Sequence, residues 1–166
     1  MCPKAHAAAY VMMAFRIAYF KINYPKAYYA SYFTVRACDD FDYSCMCKGP
    51  EAAMAALQEI HAKGQEATAK DKNKQTVLEI VVEFYARGFR FAPIDLYQSD
   101  ATKFIVTEDG LLPPFSSLQG LGINAAVSIV EGRKKNGTFA TIEELKEKTS
   151  LGRSLIDLLK ENGVLN

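Results

Sequence analysis

The stretch of this 166-residue sequence best suited to binding chemistry is Gly120-Leu121-Gly122, followed by Ile123 to Lys135 with apolar residues at helical spacing. The chemistry it fits is capture of an anion. A glycine-flanked loop that opens a helix leaves backbone N–H groups unpaired at the helix's positive end, and glycines carry no Cβ to block a close approach. Such a loop is a seat for a phosphate. Asn124 adds a side chain able to hydrogen-bond, and Arg133-Lys134-Lys135 add positive charge before Asn136-Gly137 stops the helix. Ala125 and Ala126 are small enough to let a second helix come close. The same Gly-x-Gly also suits a tight turn between two helices, and on the glycines alone both readings stand.

Other reactive side chains point less clearly. Cys2, Cys38, Cys45 and Cys47 are spaced neither as CxxC pairs nor as a Cys/His finger. A zinc site could be assembled by ligand count from Cys38, Cys45, Cys47 and His6 or His61, but reduced, incidental thiols are the better reading. Asp39, Asp40 and Asp42 lack a strand to present them as a metal-binding cluster and read as a solvated turn. An aromatic run, Tyr28, Tyr29, Tyr32 and Phe33, could stack bases, but at helical spacing it reads as core.

Composition narrows the classes. Hydrophobic residues make up 49% and charged residues 23%, an ordinary globular balance with enough chain for one or two cored units. Twenty Lys and Arg against 19 Asp and Glu leave a net charge of +1, so nucleic-acid binding must rest on local geometry and not on a broad field. The most apolar stretch, Ala5 to Phe20, is broken by Arg16 and too short to span a bilayer, and it lacks the features of a signal peptide. We therefore expect a cytoplasmic protein with no membrane contact.

The elements that would position these groups are mostly helical. Met1 to Tyr24 is predicted as a helix, with Ala7, Ala8, Val11, Met12, Phe15, Ala18, Tyr19 and Ile22 as its packed face and Pro25 as its end. Ala27 to about Val35 is predicted to pack closely against it. Arg36 to Pro50 reads as a loop. Glu51 to Ala62 follows as a helix with Ala53, Met54, Leu57 and Ile60 inward, stopped by Gly64. Thr68 with Asp71 gives an imperfect capping box for the next helix, which ends at Gly88. From Phe89 the period shortens, so Phe89, Phe91, Ile94, Leu96 and Lys103 to Val106 read as short antiparallel strands. Beyond the glycine loop, Thr141-Ile142-Glu143-Glu144 caps another helix, and Ser150-Leu151-Gly152 turns into the last, Arg153 to Asn162. The fold class is mainly α: helices over 1–88, a small antiparallel β link over 89–113, and a tandem helical unit over 114–166, divided at Pro113-Pro114.

Two resemblances sharpen this. Phe115 and Leu118 before the loop, Leu121 within it, Ala125, Ala126, Ile129 and Val130 after it and Arg133 at the end resemble the helix-hairpin-helix pattern. In that family the hairpin amides and nearby basic residues hold duplex DNA by its backbone, which implies a sequence-independent grip by Gly120, Leu121, Gly122, Asn124, Arg133, Lys134 and Lys135. A monovalent cation assists at some hairpins of that family. The second helix pair resembles a degenerate copy, whose single glycine leaves it without an assigned phosphate site.

The run Pro3-Lys4-Ala5-His6-Ala7-Ala8-Ala9-Tyr10-Val11, continued by Phe15 to Lys21, Tyr24-Pro25, Tyr28 to Phe33, Gly88-Phe89, Ile94 to Tyr97 and Gly110 to Phe115, resembles the fingers region of PolC-type DNA polymerase III alpha subunits of Gram-positive bacteria. The resemblance implies a fragment inactive on its own, because the palm carboxylates that hold two metal ions lie upstream. No cofactor is then expected in this fragment, with Mg2+ held by the absent palm of the whole enzyme. It further implies that Lys4 meets the triphosphate of an incoming nucleotide and His6 lies beside it as donor or packing residue. Its implied partners are the duplex backbone, the remainder of the polymerase, and a sliding clamp reached by a tail beyond Asn166. The alternatives are a free-standing helix-hairpin-helix DNA-binding protein and a helical protein-interaction module.

Overall fold

The computed structural model describes residues 4–35 and 39–165. Eight α-helices and one two-stranded sheet are found among them. The predicted first turn at Pro3, Cys2 and Cys38 lie outside the described residues.

Helix α1 (Lys4–Asn23) is followed after a bend at Tyr24 by α2 (Pro25–Val35), and Arg16, Ile17 and Phe20 of α1 line one cleft with Tyr28, Tyr32 and Val35 of α2. As expected, α1 ends just before Pro25, which lacks the amide that would continue it; the flanking turns stay closed, the Tyr24 amide donating to the Phe20 carbonyl at 2.8 Å and the Tyr28 amide to the Tyr24 carbonyl at 2.9 Å, so the two helices join at a kink. The expected packing of α1 on α2 is found only at the base of α1, where Phe20 meets Tyr28 edge-on at 6.4 Å and Lys21 Nζ lies over the Tyr28 ring. No residue of α1 is buried, and Phe15 is 72% and Ile22 70% exposed. Apolar residues occur all round α1, so periodicity alone marked a face that nothing among the described residues buries.

Helix α2 does enter a core. Tyr29 and Phe33 are fully buried with Phe41, Phe84 and Phe104, and Phe91 packs against them. Phe33 meets Phe41 edge-on at 5.4 Å and Phe84 at 5.9 Å, the geometry that adds about 0.5–1.5 kcal/mol per pair beyond burial. Helix α4 (Pro50–Lys63) contributes Ala53, Leu57 and Ile60, while Met54, predicted inward, is 41% exposed because it falls between the rows that face α5. Helix α5 (Ala69–Ala86) adds Val77, Leu78, Val81 and Phe84. Its capping box is complete: the Asp71 amide donates to Thr68 Oγ1 at 3.1 Å and the Thr68 amide to Asp71 Oδ2 at 3.0 Å, a cap worth about 1 kcal/mol.

The predicted loop before α4 holds the short helix α3 (Tyr43–Met46). Asp42 is no solvated residue: it caps α3 through the Ser44 amide at 3.0 Å and accepts from Lys74 Nζ at 2.7 Å. Burial pushes its carboxyl up, but the bonds from Lys74 and Ser44 win and hold it below the ordinary value.

Strands β1 (Ile105–Val106) and β2 (Leu111–Leu112) pair antiparallel, Ile105 opposite Leu112 and Val106 opposite Leu111. The further strands predicted over Phe89 to Leu96 reduce to a single parallel bridge, Phe91 to Leu111. Two aspartate turns explain this. Asp95 Oδ1 accepts from the amides of Tyr97 and Gln98 at 2.8 Å, and Asp100 Oδ1 from those of Thr102 and Lys103 at 3.0 Å, so the backbone is drawn into side-chain-closed turns instead of a ladder. This segment is shared between two cores: Phe104 and Leu111 join the aromatic cluster, whereas Ile94, Leu96 and Ala101 join a second, largely aliphatic one.

That second core belongs to the C-terminal helices. Phe115–Ser117 is a single 3-10 turn, shorter than the helix expected there. Then come α6 (Ile123–Asn136), α7 (Ile142–Thr149) and α8 (Arg153–Glu161), with Ile129, Leu145, Ile156 and Leu159 almost fully buried among them.

Candidate nucleic-acid interface

The glycine loop sits on the surface above this aliphatic core. Gly120 has φ +95°, a conformation closed to most side chains, and Gly122 has φ −67° and ψ 158°, the extended form that starts a helix without a side-chain cap. Between them Leu121 is only 4% exposed. A Cβ on Gly122 would meet nothing within 4 Å, so the approach to the loop is open.

The amides divide by role. Leu121 N–H donates to the Leu118 carbonyl at 3.1 Å, so Leu121 is an anchor and not, as expected, one of the phosphate donors. Among the described residues the amides of Gly120, Gly122, Ile123 and Asn124 meet no acceptor of the protein. They are the orphan donors of the α6 start, at its positive end. Asn124 is exposed beside them. A cleft of about 390 Å³ adjoins the loop, walled by Ser116, Gln119, Gly120, Gly122 and Thr102, with Asp39 at its edge opposing an anion by its charge.

The basic run lies elsewhere. From Gly122 to Lys134 the helix advances about 18 Å, so the cluster cannot share a phosphate with the loop. Arg133 turns inward: its Nη1 donates to the Leu96 carbonyl at 2.9 Å, tying α6 to the segment before β1. Burial pushes its guanidinium below the ordinary value against the pull of Asp100 and Asp95, and it stays a cation. Lys134 and Lys135 are exposed. Lys4 and His6 stand exposed on the first turn of α1, the His6 ring edge-on to Tyr10 at 4.6 Å.

A feature the sequence reading did not use is the form of the second turn. Ser150 is left-handed at φ 54°, Leu151 is 6% exposed, and Gly152 has φ −69° and ψ 161°, nearly the values of Gly122. Ser150 stands where the first hairpin has Gly120, and its left-handed conformation hides the likeness from a search for glycine pairs. The two hairpins meet where α6 packs on α7: a Cβ on the buried Gly132 would lie 2.7 Å from Thr149 Cγ2, and Ser128 Oγ donates to the Thr149 carbonyl.

Among the described residues no group of three or more His, Cys, Asp or Glu is placed to hold a metal ion. Cys45 and Cys47 do not form one with Asp42. Burial pushes both thiols up, away from the thiolate form that a zinc ligand needs. No described helix is long and apolar enough to cross a membrane.

A 3-10 turn and α6 meet at the first glycine turn and α7 and α8 at the second, and residues 88–166 match the family described as the helix-hairpin-helix motif. The relationship of the whole chain is to PolC-type DNA polymerase III. Over 99% of its length it is 54% identical to the protein of that name from Caldanaerobacter subterraneus subsp. tengcongensis, 52% to that of Oceanobacillus iheyensis and 49% to that of Bacillus subtilis. It is thus a homologue of one segment of those proteins, spanning 11–12% of their length.

Proposed function

We propose that this chain grips duplex DNA by its phosphate backbone, without reading sequence, as one segment of a replicative DNA polymerase acting in the cytoplasm. The observation that carries this is the open loop at Gly122, whose neighbouring amides at Ile123 and Asn124 have no acceptor in the protein. The match to the helix-hairpin-helix motif supports it. Lys134 and Lys135, at the far end of α6, engage a different phosphate as point charges. A monovalent cation at the hairpin and a clamp-binding tail belong to the same reading. Mg2+ would be held by other parts of the polymerase.

The test is fluorescence anisotropy with two duplexes of equal length and unrelated sequence. We expect equal affinities that fall together as salt rises, with a shallow slope because few phosphates are contacted. A strong preference for one sequence, or an affinity indifferent to salt, excludes a backbone grip.

The uncovered α1 favours a second role beside the first, as part of the polymerase fingers. Its apolar surface is covered by the remainder of the polymerase, and its first turn brings Lys4, with His6 beside it, to the triphosphate of an incoming nucleotide. In the full polymerase Lys4→Ala is expected to raise KM for nucleotide by about tenfold, as loss of one charge-assisted contact does. An unchanged KM removes Lys4 from the site.

A further inference from the structure

Helix α1 is about 30 Å long and buries none of its residues, so something other than a core must set its direction. The base of the helix supplies it. In an unbroken helix the Lys21 carbonyl would accept from the amide of residue 25, and that residue is proline, which has none. Arg87, just past the end of α5, reaches across instead: its Nη1 and Nη2 lie 3.4 and 3.3 Å from the Lys21 carbonyl. The same guanidinium donates to Tyr29 Oη at 3.1 Å, Tyr29 donates to Glu83, and Glu83 receives Lys21 Nζ at 2.7–2.8 Å. Backbone and side chain of Lys21 are therefore both held, one by Arg87 and the other by Glu83.

We propose that Arg87 takes the place of the missing Pro25 amide and, with Glu83, latches α1 at its kink, so that the two are positioning residues for the helix's far end. Lys4 lies 17 residues up the helix from Lys21, about 26 Å, and a change of about 10° at the kink displaces it by roughly 4–5 Å. That is more than the length of a hydrogen bond, so a loosened latch would carry the first turn away from any ligand it serves. The bearing of this on nucleotide rests on the reading of Lys4 and His6 given above; the latch itself does not.

Spin labels on genetically encoded keto side chains at the exposed positions Met13 and Gln58 report the angle of α1 as a distance distribution in this chain, with no nucleotide present. One narrow distribution is expected for the unchanged protein. Arg87→Met should broaden it by about twofold or more, as a released hinge does. Pro25→Ala combined with Arg87→Met should narrow it again, because alanine returns the amide that Arg87 replaces. A merely structural arginine would show no such rescue. A distribution unaltered by Arg87→Met, or one that stays broad in the double variant, overturns the proposal. Should Arg87→Met lose its helical circular dichroism, Glu83→Gln decides: it removes the partner of Lys21 Nζ while leaving an acceptor for Tyr29, and a width equal to the unchanged protein's counts against the latch. Because nucleotide is absent, failure here leaves the KM test of Lys4 untouched, and failure there leaves the latch untouched.

Discussion

The first hairpin turns through Gly120-Leu121-Gly122 and the second through Ser150-Leu151-Gly152, and they differ more in residue type than in path. Each places a leucine in the aliphatic core and a glycine with φ near −70° at the start of the next helix. The contrast is at the first position, where Gly120 takes φ +95° at no cost to a side chain and Ser150 bears a Cβ at φ 54°. Left-handed backbone costs a non-glycine residue about 1–2 kcal/mol, which the packing of Leu151 and Ile156 must offset. The buried leucine, more than the glycine before it, is what the two turns share and what shapes them.

The largest effect expected from disturbing this pair is at the open end of the first loop. Gly122→Asp introduces a carboxylate at a position with free space and an ordinary φ, where it caps the α6 amides itself and repels a phosphate. Duplex affinity in anisotropy titrations should fall about a hundredfold, close to 2.7 kcal/mol, while thermal stability holds or rises. Loss of affinity together with loss of fold would instead make the loop a structural turn. Next comes the joint between the hairpins. Gly132→Val drives a side chain into Thr149 and the Lys148 carbonyl, and should cost about 2 kcal/mol in urea unfolding. If it costs nothing, α6 and α7 do not pack as described.

Exchanging the first residues of the loops sharpens the comparison at smaller scale. Gly120→Ser should destabilise by about 1.5 kcal/mol through φ alone, since its Cβ meets only Leu158 Cδ2 at the ordinary distance of 3.8 Å. Ser150→Gly should stabilise by about 0.5 kcal/mol, relief of the left-handed serine being partly cancelled by the greater freedom of glycine in the unfolded chain. Chemical denaturation in which Gly120→Ser stabilises or Ser150→Gly destabilises would mean that the two turns are not equivalent in form.

Signals confined to a few neighbouring residues were legible in the sequence. Gly64, Gly88 and Gly137 end their helices, Thr68 and Thr141 cap theirs, and α6 occupies the span that its apolar spacing predicts. What depends on a distant partner was not legible. Whether the apolar face of α1 is covered depends on surfaces outside its own pattern. Arg133 belongs to a basic run by sequence, and only the fold brings the Leu96 carbonyl within its reach. Over Phe89 to Leu96 the spacing of apolar residues is that of a strand, yet Asp95 closes a turn at its end that competes with a ladder. The second hairpin was legible as a degenerate copy of the first, but not the closeness of its path, because at Ser150 only φ, and no residue type, reveals the likeness.

The bond from Leu121 N–H to the Leu118 carbonyl, with the leucine side chain sunk below it, fixes the glycine loop before anything binds. A surface already stiff in its receiving shape has little freedom left to lose on association. Encounter with a strand should then be a docking of rigid bodies, fast, governed by ionic strength, and accompanied by only a small change in heat capacity.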